Sequence, residues 1–212
     1  MKVQTVSVGT PRIVEVQSEH YVTTAIFKTA VEGRVEVGEL NLEGDAQTDL
    51  TVHGGWSKAV YAYPGEHYEF WRNEMPETEI GNSQFGENLT TEGLLETEVF
   101  IGDKLSIGTA EFVVTEPRMP CYKLGVRFGR SDILRRFLQS RRSGFYLGVL
   151  KTGELGAGDE IEIISRDENR VSIDDIVRIY IEDKHDYGTM ARAVKVEVLP
   201  DGWKDTFRER LR

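Results

Sequence analysis

The sequence has little cysteine and little histidine: among its 212 residues are one cysteine, Cys121, and four histidines, His20, His53, His67 and His185. A lone cysteine excludes an intramolecular disulfide and a cysteine-rich zinc site. A zinc site built from histidines alone would require at least three of these scattered residues to converge. One thiol in a chain of this length is typical of a protein in a reducing compartment.

The sequence also lacks an excess of positive charge and any long apolar run. Its 26 Lys and Arg against 36 Asp and Glu leave a formal net charge of −10, which argues against a nucleic-acid binder with a basic surface. Residues 1–8 alternate polar and apolar, unlike a signal peptide, and no segment reaches the roughly 20 apolar residues of a spanning helix. We therefore expect a cytoplasmic protein with no nucleic-acid or membrane partner.

Short segments rich in Val, Ile and Thr, separated by turn residues, indicate that the first 165 residues are mainly β. Two helices are predicted among them, one after Pro64 and one over residues 131–142, where Ile133 and Phe137 belong to an apolar stripe. The predicted strands cover residues 3–8, 13–16, 21–27, 35–42, 97–101, 104–107, 110–115, 145–150 and 160–164.

The pattern changes after a charged linker at residues 166–170. Ser172 followed by Asp175 is typical of a helix start, and further helices are predicted around residues 189–196 and after Pro200. Three short helices can bury little core alone, so we expect them to dock on the β-rich body or on a partner. The predicted domains are residues 1–165, mainly β, and residues 171–212, a three-helix extension.

One segment places Cys121 close in sequence to Arg118 and Lys123, after two prolines that stiffen the backbone. If both cations reach the sulfur, they favour the thiolate, which is the nucleophilic and metal-binding form. A lone cysteine is also commonly a small buried hydrophobic residue, so the segment by itself leaves both interpretations open.

Two other segments carry residues suited to binding an anion or a polar ligand. His53 precedes two glycines and Lys58, and glycines allow close backbone approach to a ligand. Asn88 follows Gly86 and offers both a donor and an acceptor. Taken alone, each segment is explained at least as well by a tight turn, with an Asn cap in the second case. The glycine-rich phosphate-binding patterns and the His-Glu-x-x-His zinc motif are missing from the sequence.

Taken in order, these segments resemble the MOSC family, the molybdenum cofactor sulfurase C-terminal domain, in its bacterial YiiM-like branch. The resemblance covers residues 40–125, and the tail from Val171 resembles the three-helix extension of that branch. The ordered residues are Asp45, His53-Gly54-Gly55, Lys58, Tyr63-Pro64, Phe85-Gly86-Glu87-Asn88-Leu89, Ile101-Gly102-Asp103 and Pro117-Arg118-x-Pro120-Cys121.

The resemblance implies an α+β protein, mainly β with helices, in which a barrel-like body holds the molybdenum cofactor and a small three-helix unit follows. By analogy, Cys121 supplies a thiolate to molybdenum, a soft ligand for a metal already held by sulfur. His53, Lys58 and Arg118 would hold the cofactor's phosphate or other polar edges. Asn88 and Lys123 complete the predicted cofactor-binding residues. His53 is also the candidate catalytic proton donor, because its ordinary pKa lies near neutrality.

The implied activity is reduction of N-hydroxylated small molecules, such as N-hydroxylated purine bases, a detoxification reaction. Electrons would come from a separate reductase, because a lone cysteine cannot hold an iron–sulfur cluster and the sequence has no flavin or haem motif. One alternative is a sulfur carrier that holds a persulfide on Cys121. Another is a non-catalytic cofactor-binding or storage protein. A homodimer is expected from the frequency of that assembly.

Overall fold

The structure is a computed structural model that describes residues 1–17, 20–47 and 54–212. The strands are β1 (Lys2–Val8), β2 (Arg12–Gln17), β3 (His20–Thr24), β4 (Thr29–Ala30), β5 (Arg34–Val37), β6 (Val60–Pro64), β7 (Leu89–Glu92), β8 (Lys104–Ile107), β9 (Ala110–Pro117), β10 (Phe145–Lys151), β11 (Gly153–Gly156) and β12 (Ile161–Ser165). The helices are α1 (His67–Glu74), α2 (Tyr122–Phe128), α3 (Ile133–Ser140), α4 (Ile173–Ile181), α5 (Tyr187–Ala193) and α6 (Asp201–Arg210).

Eight strands form one mixed sheet that curls into a barrel. Their order is β12-β8-β9-β10-β6-β7-β1-β4, and β6 with β7 is its parallel pair. Near the two ends of this order, Lys2 of β1 bridges Glu160, and the Ile161 amide donates to the Met1 carbonyl at 2.9 Å. Closure covers the strand edges that an open sheet would expose. The predicted α+β fold with a barrel-like body is confirmed.

A second core, mostly aromatic, lies between β6 and the helices α1 to α3. Tyr63 stacks on Phe85 with ring centroids 4.5 Å apart, and the buried Trp71 and Phe137 stack at 6.2 Å. Offset stacking of this kind adds to the burial of large apolar surface. This cluster fixes α2, and therefore its first-turn side chains, against the barrel wall.

The three C-terminal helices dock on the barrel. The Ser172 hydroxyl accepts from the Asp175 amide while the Asp175 carboxylate accepts from the Ser172 amide, the predicted capping arrangement. Ile176 and Phe207 are fully buried in the same apolar core as the barrel strands. The division into domains at residues 1–165 and 171–212 stays a prediction. Within the part of the chain that the structure describes, no helix is long and apolar enough to cross a membrane.

Several local predictions were wrong. Residues 97–101 form turns with one bridge, between Phe100 and Ser172, because the Asp103 carboxylate accepts from the Phe100 amide. The hairpin strand expected to reach residue 27 ends at Thr24, whose hydroxyl accepts from the Ile26 amide at 3.2 Å. The strand expected over residues 35–42 ends at residue 37. Strands β4, β6, β7 and β11 and helix α2 were missed.

Candidate functional site

Five of the six predicted site residues line one cavity at the barrel wall, which we call the first cavity. They are Lys58, Asn88, Arg118, Cys121 and Lys123. His53, the sixth, lies outside the described residues, so its predicted contacts and proton transfer stay predictions. Other residues of the lining, which the sequence reasoning did not select as site residues, include Lys28, Asp45, Tyr61, Met119 and Tyr146.

Cys121 stands where β9 has ended and α2 begins. Its backbone is extended (φ −123°, ψ 168°), and the next residue is the first of the helix. The side chain is half-buried and lines the first cavity as well as an adjoining second cavity. A ligand atom bound to this sulfur could therefore be approached from both sides.

Arg118 is a buried cation, and one of its terminal nitrogens has no hydrogen-bond partner among the described residues. The residue is 6% exposed, and its guanidinium carbon lies 5.1 Å from the ring centre of Tyr61 and 5.4 Å from that of Phe137. Arginine stays charged in proteins. Its Nη1 is buried and finds no hydrogen-bond partner within the described ranges. Because a buried donor without a partner is costly, this atom indicates a site for an anionic ligand.

Lys28 adds a second buried cation that no sequence motif signalled. Its ammonium group pairs with Asp45, and that carboxylate also accepts from the Gly9 amide at 2.8 Å. Burial lowers the pKa of Lys28, and the attraction of Asp45 opposes this effect. Lys28 comes from the segment that follows β3, so only the folded chain brings it to the cavity.

The side-chain amide of Asn88 forms three hydrogen bonds that link parts of the cavity wall. Its Nδ2 donates to Asp45 Oδ2 at 2.9 Å and to the Ser7 carbonyl at 3.2 Å, while its Oδ1 accepts from the Tyr61 amide at 3.0 Å. These contacts use both amide hydrogens. Asn88 is therefore placed to support Asp45 and β6, in addition to lining the cavity.

Lys58 and Lys123 complete the cationic lining. Lys58 ends the 3-10 turn Trp56–Lys58 and lines both cavities, with its Nζ 3.9 Å from Glu116 Oε1. Lys123 belongs to the first turn of α2 and is only 8% exposed. With Lys28 and Arg118, four basic side chains and the Asp45 carboxylate line the first cavity of a chain whose net charge is −10. The local field that a ligand meets is set by these side chains.

The second cavity adjoins the first at Cys121, and one residue of the helical extension lines it. Its wall contains Glu116 of β9 and Trp203 of α6, and the indole Nε1 donates to Glu116 Oε2 at 3.0 Å. Ser57 donates to Glu116 Oε1 at 3.1 Å. Burial raises the pKa of Glu116, while Lys58 and the two hydrogen bonds oppose the rise. Neither Glu116 nor Trp203 was selected from the sequence, because their meeting depends on how α6 docks.

Among the described residues, no group of three or more His, Cys, Asp and Glu side chains is arranged to hold a metal ion. The donor set around Cys121 is instead one thiol beside basic and phenolic side chains. Burial raises the pKa of Tyr146 to about 12, so this phenol keeps its proton near neutral pH and remains a hydrogen-bond donor.

Two family models match this chain, one in the β-rich body and one in the helical extension. The MOSC domain model matches residues 49–162, and the model of the YiiM-like, 3-alpha helix domain matches residues 171–212. Protein YiiM of Escherichia coli (strain K12) is 35% identical over 189 residues, which are 88% of this chain and 84% of that protein. The crystal structure of YiiM from Geobacillus stearothermophilus superposes with a TM-score of 0.83 at 32% identity, covering 100% of this chain and 99% of that one.

A fungal relative carries a functional name. A protein of Gibberella moniliformis (strain M3125 / FGSC 7600) named a reductase is 32% identical over 194 residues. The match covers 90% of this chain but 34% of the fungal protein.

Proposed function

Because the chain belongs to the MOSC domain family and carries the YiiM-like three-helix domain, we propose that it is a molybdenum-cofactor oxidoreductase that reduces N-hydroxylated compounds. N-hydroxylated purine bases are the proposed substrates, and a separate reductase is the proposed electron source. The observation that carries the proposal is the buried Nη1 of Arg118, which lacks a partner among the described residues in a cationic cavity shared with Cys121.

The residues of the first cavity fit the chemistry of that cofactor. A phosphate needs cationic and hydrogen-bonding partners, which Arg118, Lys58 and Lys123 provide, and the planar guanidinium suits it best. Molybdenum held by dithiolene sulfurs accepts a further soft ligand, which the Cys121 thiolate provides. Cations that reach a thiol favour its thiolate, and Lys58, Arg118 and Lys123 line the same cavity as Cys121.

The reaction sets clear requirements for the protein. Reducing an N–OH group to N–H consumes two electrons and two protons, breaks the N–O bond and releases water. When bound, the molybdenum cofactor supplies two-electron redox chemistry. The chain's own residues hold the cofactor's phosphate, supply the thiolate and deliver protons. His53 remains the proposed proton donor, and full turnover and cofactor content in His53→Gln would remove it from that role.

A turnover assay tests the proposed activity. Protein loaded with the cofactor is mixed anaerobically with reduced methyl viologen and 6-hydroxylaminopurine, and adenine is measured. We expect adenine to form with the wild type and not with Cys121→Ser. No adenine from wild-type protein that contains molybdenum would contradict the proposed substrate class.

The sulfur-carrier alternative is favoured by the position of Cys121, which lines two cavities and is half-buried beside basic side chains. Such a thiolate would also hold a persulfide. Mass spectrometry of the purified protein distinguishes the two functions: one extra sulfur atom on Cys121 without bound molybdenum favours the carrier.

A further inference from the structure

The two cavities that meet at Cys121 differ in their chemistry. The first is lined by four basic side chains, which suits an anion. The second contains one basic and one acidic side chain, Lys58 and Glu116. The rest of its wall, apart from Cys121, is apolar or aromatic: Pro117, Met119, Pro120, Tyr146 and Trp203. A wall of this composition suits an uncharged, flat ring better than a phosphate.

The Glu116 carboxylate is fixed in place and still has acceptor capacity. Trp203 Nε1 holds one oxygen at 3.0 Å, and Ser57 Oγ holds the other at 3.1 Å. Each oxygen of a carboxyl group can accept more than one hydrogen bond, so these two hydrogen bonds leave acceptor capacity for further donors. The carboxyl group is on the wall of the second cavity, and its residue is 6% exposed.

The partners of Glu116 come from different elements, so the orientation of its carboxyl group depends on how these elements pack together. Ser57 and Lys58 belong to the turn before β6, and Trp203 belongs to α6 of the helical extension. The other titratable groups on the cavity wall are Tyr146 and Cys121. The helical extension therefore contributes directly to the cavity, through the indole that holds this carboxylate.

We propose that the second cavity binds the substrate, a planar heteroaromatic base with an exocyclic N-hydroxyamino group, and that Glu116 positions it by accepting a hydrogen bond from that group. This inference rests on the proposed function. The N–H and O–H of the hydroxyamino group are the donors that the carboxylate can still accept. The apolar wall packs against the ring, and the N–O bond faces Cys121, where the two cavities meet.

Binding without turnover tests this inference. The protein is loaded with the cofactor, kept oxidised with no electron donor, and titrated with 6-hydroxylaminopurine by calorimetry. We expect Glu116→Gln to bind at least about tenfold more weakly than the wild type, because an amide replaces one acceptor oxygen by a donor. Trp203→Phe keeps the apolar wall but releases the carboxylate, and we expect an intermediate loss.

Matched controls separate a local effect from general damage. Glu111 is on the same strand as Glu116, but its side chain is 42% exposed and pairs with Lys151 at the surface. Glu111→Gln should therefore bind 6-hydroxylaminopurine as tightly as the wild type. Ligand binding should change tryptophan emission, and the change should be lost in Trp203→Phe and kept in Trp56→Phe. All variants should retain wild-type molybdenum content.

The outcomes separate this inference from the proposed function. Equal affinity and equal KM in the wild type and Glu116→Gln would overturn the role of Glu116, even if the wild type reduces the base. An emission change retained in Trp203→Phe would overturn the placement of the ligand in the second cavity. Wild-type protein that contains molybdenum but neither binds nor reduces the base would overturn the proposed substrate class and this inference with it.

Discussion

Among single residues, Arg118 departs from what stability alone would favour. Its guanidinium is buried against Tyr61 and Phe137, yet Nη1 finds no partner in the described part of the chain. Burying a charge is costly unless its donors are satisfied. A residue retained at such a cost fits a site that is completed by its ligand.

Replacing Arg118 should change ligand binding much more than stability. Arg118→Met keeps an unbranched apolar stem and removes the unsatisfied charge, so the unfolding free energy of the unloaded protein should stay within about 1 kcal/mol of the wild type. Bound molybdenum should fall sharply. Urea unfolding and metal analysis measure the two effects. A large loss of stability with normal metal content would make Arg118 a structural residue.

At the scale of elements, the turn before β7 shapes the wall of the first cavity. Gly86 lines that cavity with φ +78°, and a Cβ there would lie 2.6 Å from Ile26 Cγ1. Both the positive φ and the close approach favour glycine. The turn also carries Asn88, which holds β6 and Asp45.

We expect Gly86→Ala to lower the unfolding free energy by about 1–3 kcal/mol and to weaken cofactor retention, because the backbone is strained and the wall must shift. Gly81→Ala is the matched control, since the φ of Gly81 is not positive and, apart from its chain neighbours, no atom of the described residues lies within 4 Å of the added Cβ. Equal stability in the two variants, measured by urea unfolding, would contradict this account of the turn.

The elements also show which parts of the fold the sequence can predict. Helix α4 was predicted because Ser172, Asp175 and the apolar period all lie within a few residues. Strand β6 was missed because all five of its residues are buried and the alternation of a half-exposed strand is absent. Helix α2 was missed because Gly125 and Val126 weaken its propensity, and packing of Leu124 and Phe128 stabilises it instead.

The same distinction applies to the candidate site. Arg118, Cys121 and Lys123 lie within six residues, so the sequence could place them together. Glu116 and Trp203 are 87 positions apart and meet through docking of α6 on β9. A local sequence pattern cannot predict a contact between residues so far apart in the chain.

At the scale of the whole molecule, the barrel and the helical extension share one apolar core. Phe207 of α6 is fully buried in the same cluster as Leu105 and Phe112 of the barrel. Elements that share a core lose it together, so the described body should unfold as one cooperative unit.

Phe207→Ala should therefore destabilise barrel and extension together, by about 3–5 kcal/mol. Far-ultraviolet circular dichroism follows the helices, and near-ultraviolet dichroism follows the aromatic core around Trp71. The two signals should give the same lowered midpoint in urea. Loss of the helical signal at a lower urea concentration than the aromatic signal would show that the extension unfolds on its own.

Metal analysis tests whether Cys121 and the cationic first cavity hold the molybdenum cofactor. Wild-type protein and Cys121→Ala are purified from a host that makes the cofactor, and molybdenum and phosphate are counted per chain. We expect about one molybdenum per wild-type chain and its loss in the variant, because the Cys121 thiolate is the proposed protein ligand of the metal. No molybdenum in either protein, under conditions that load a known molybdoenzyme, would contradict it.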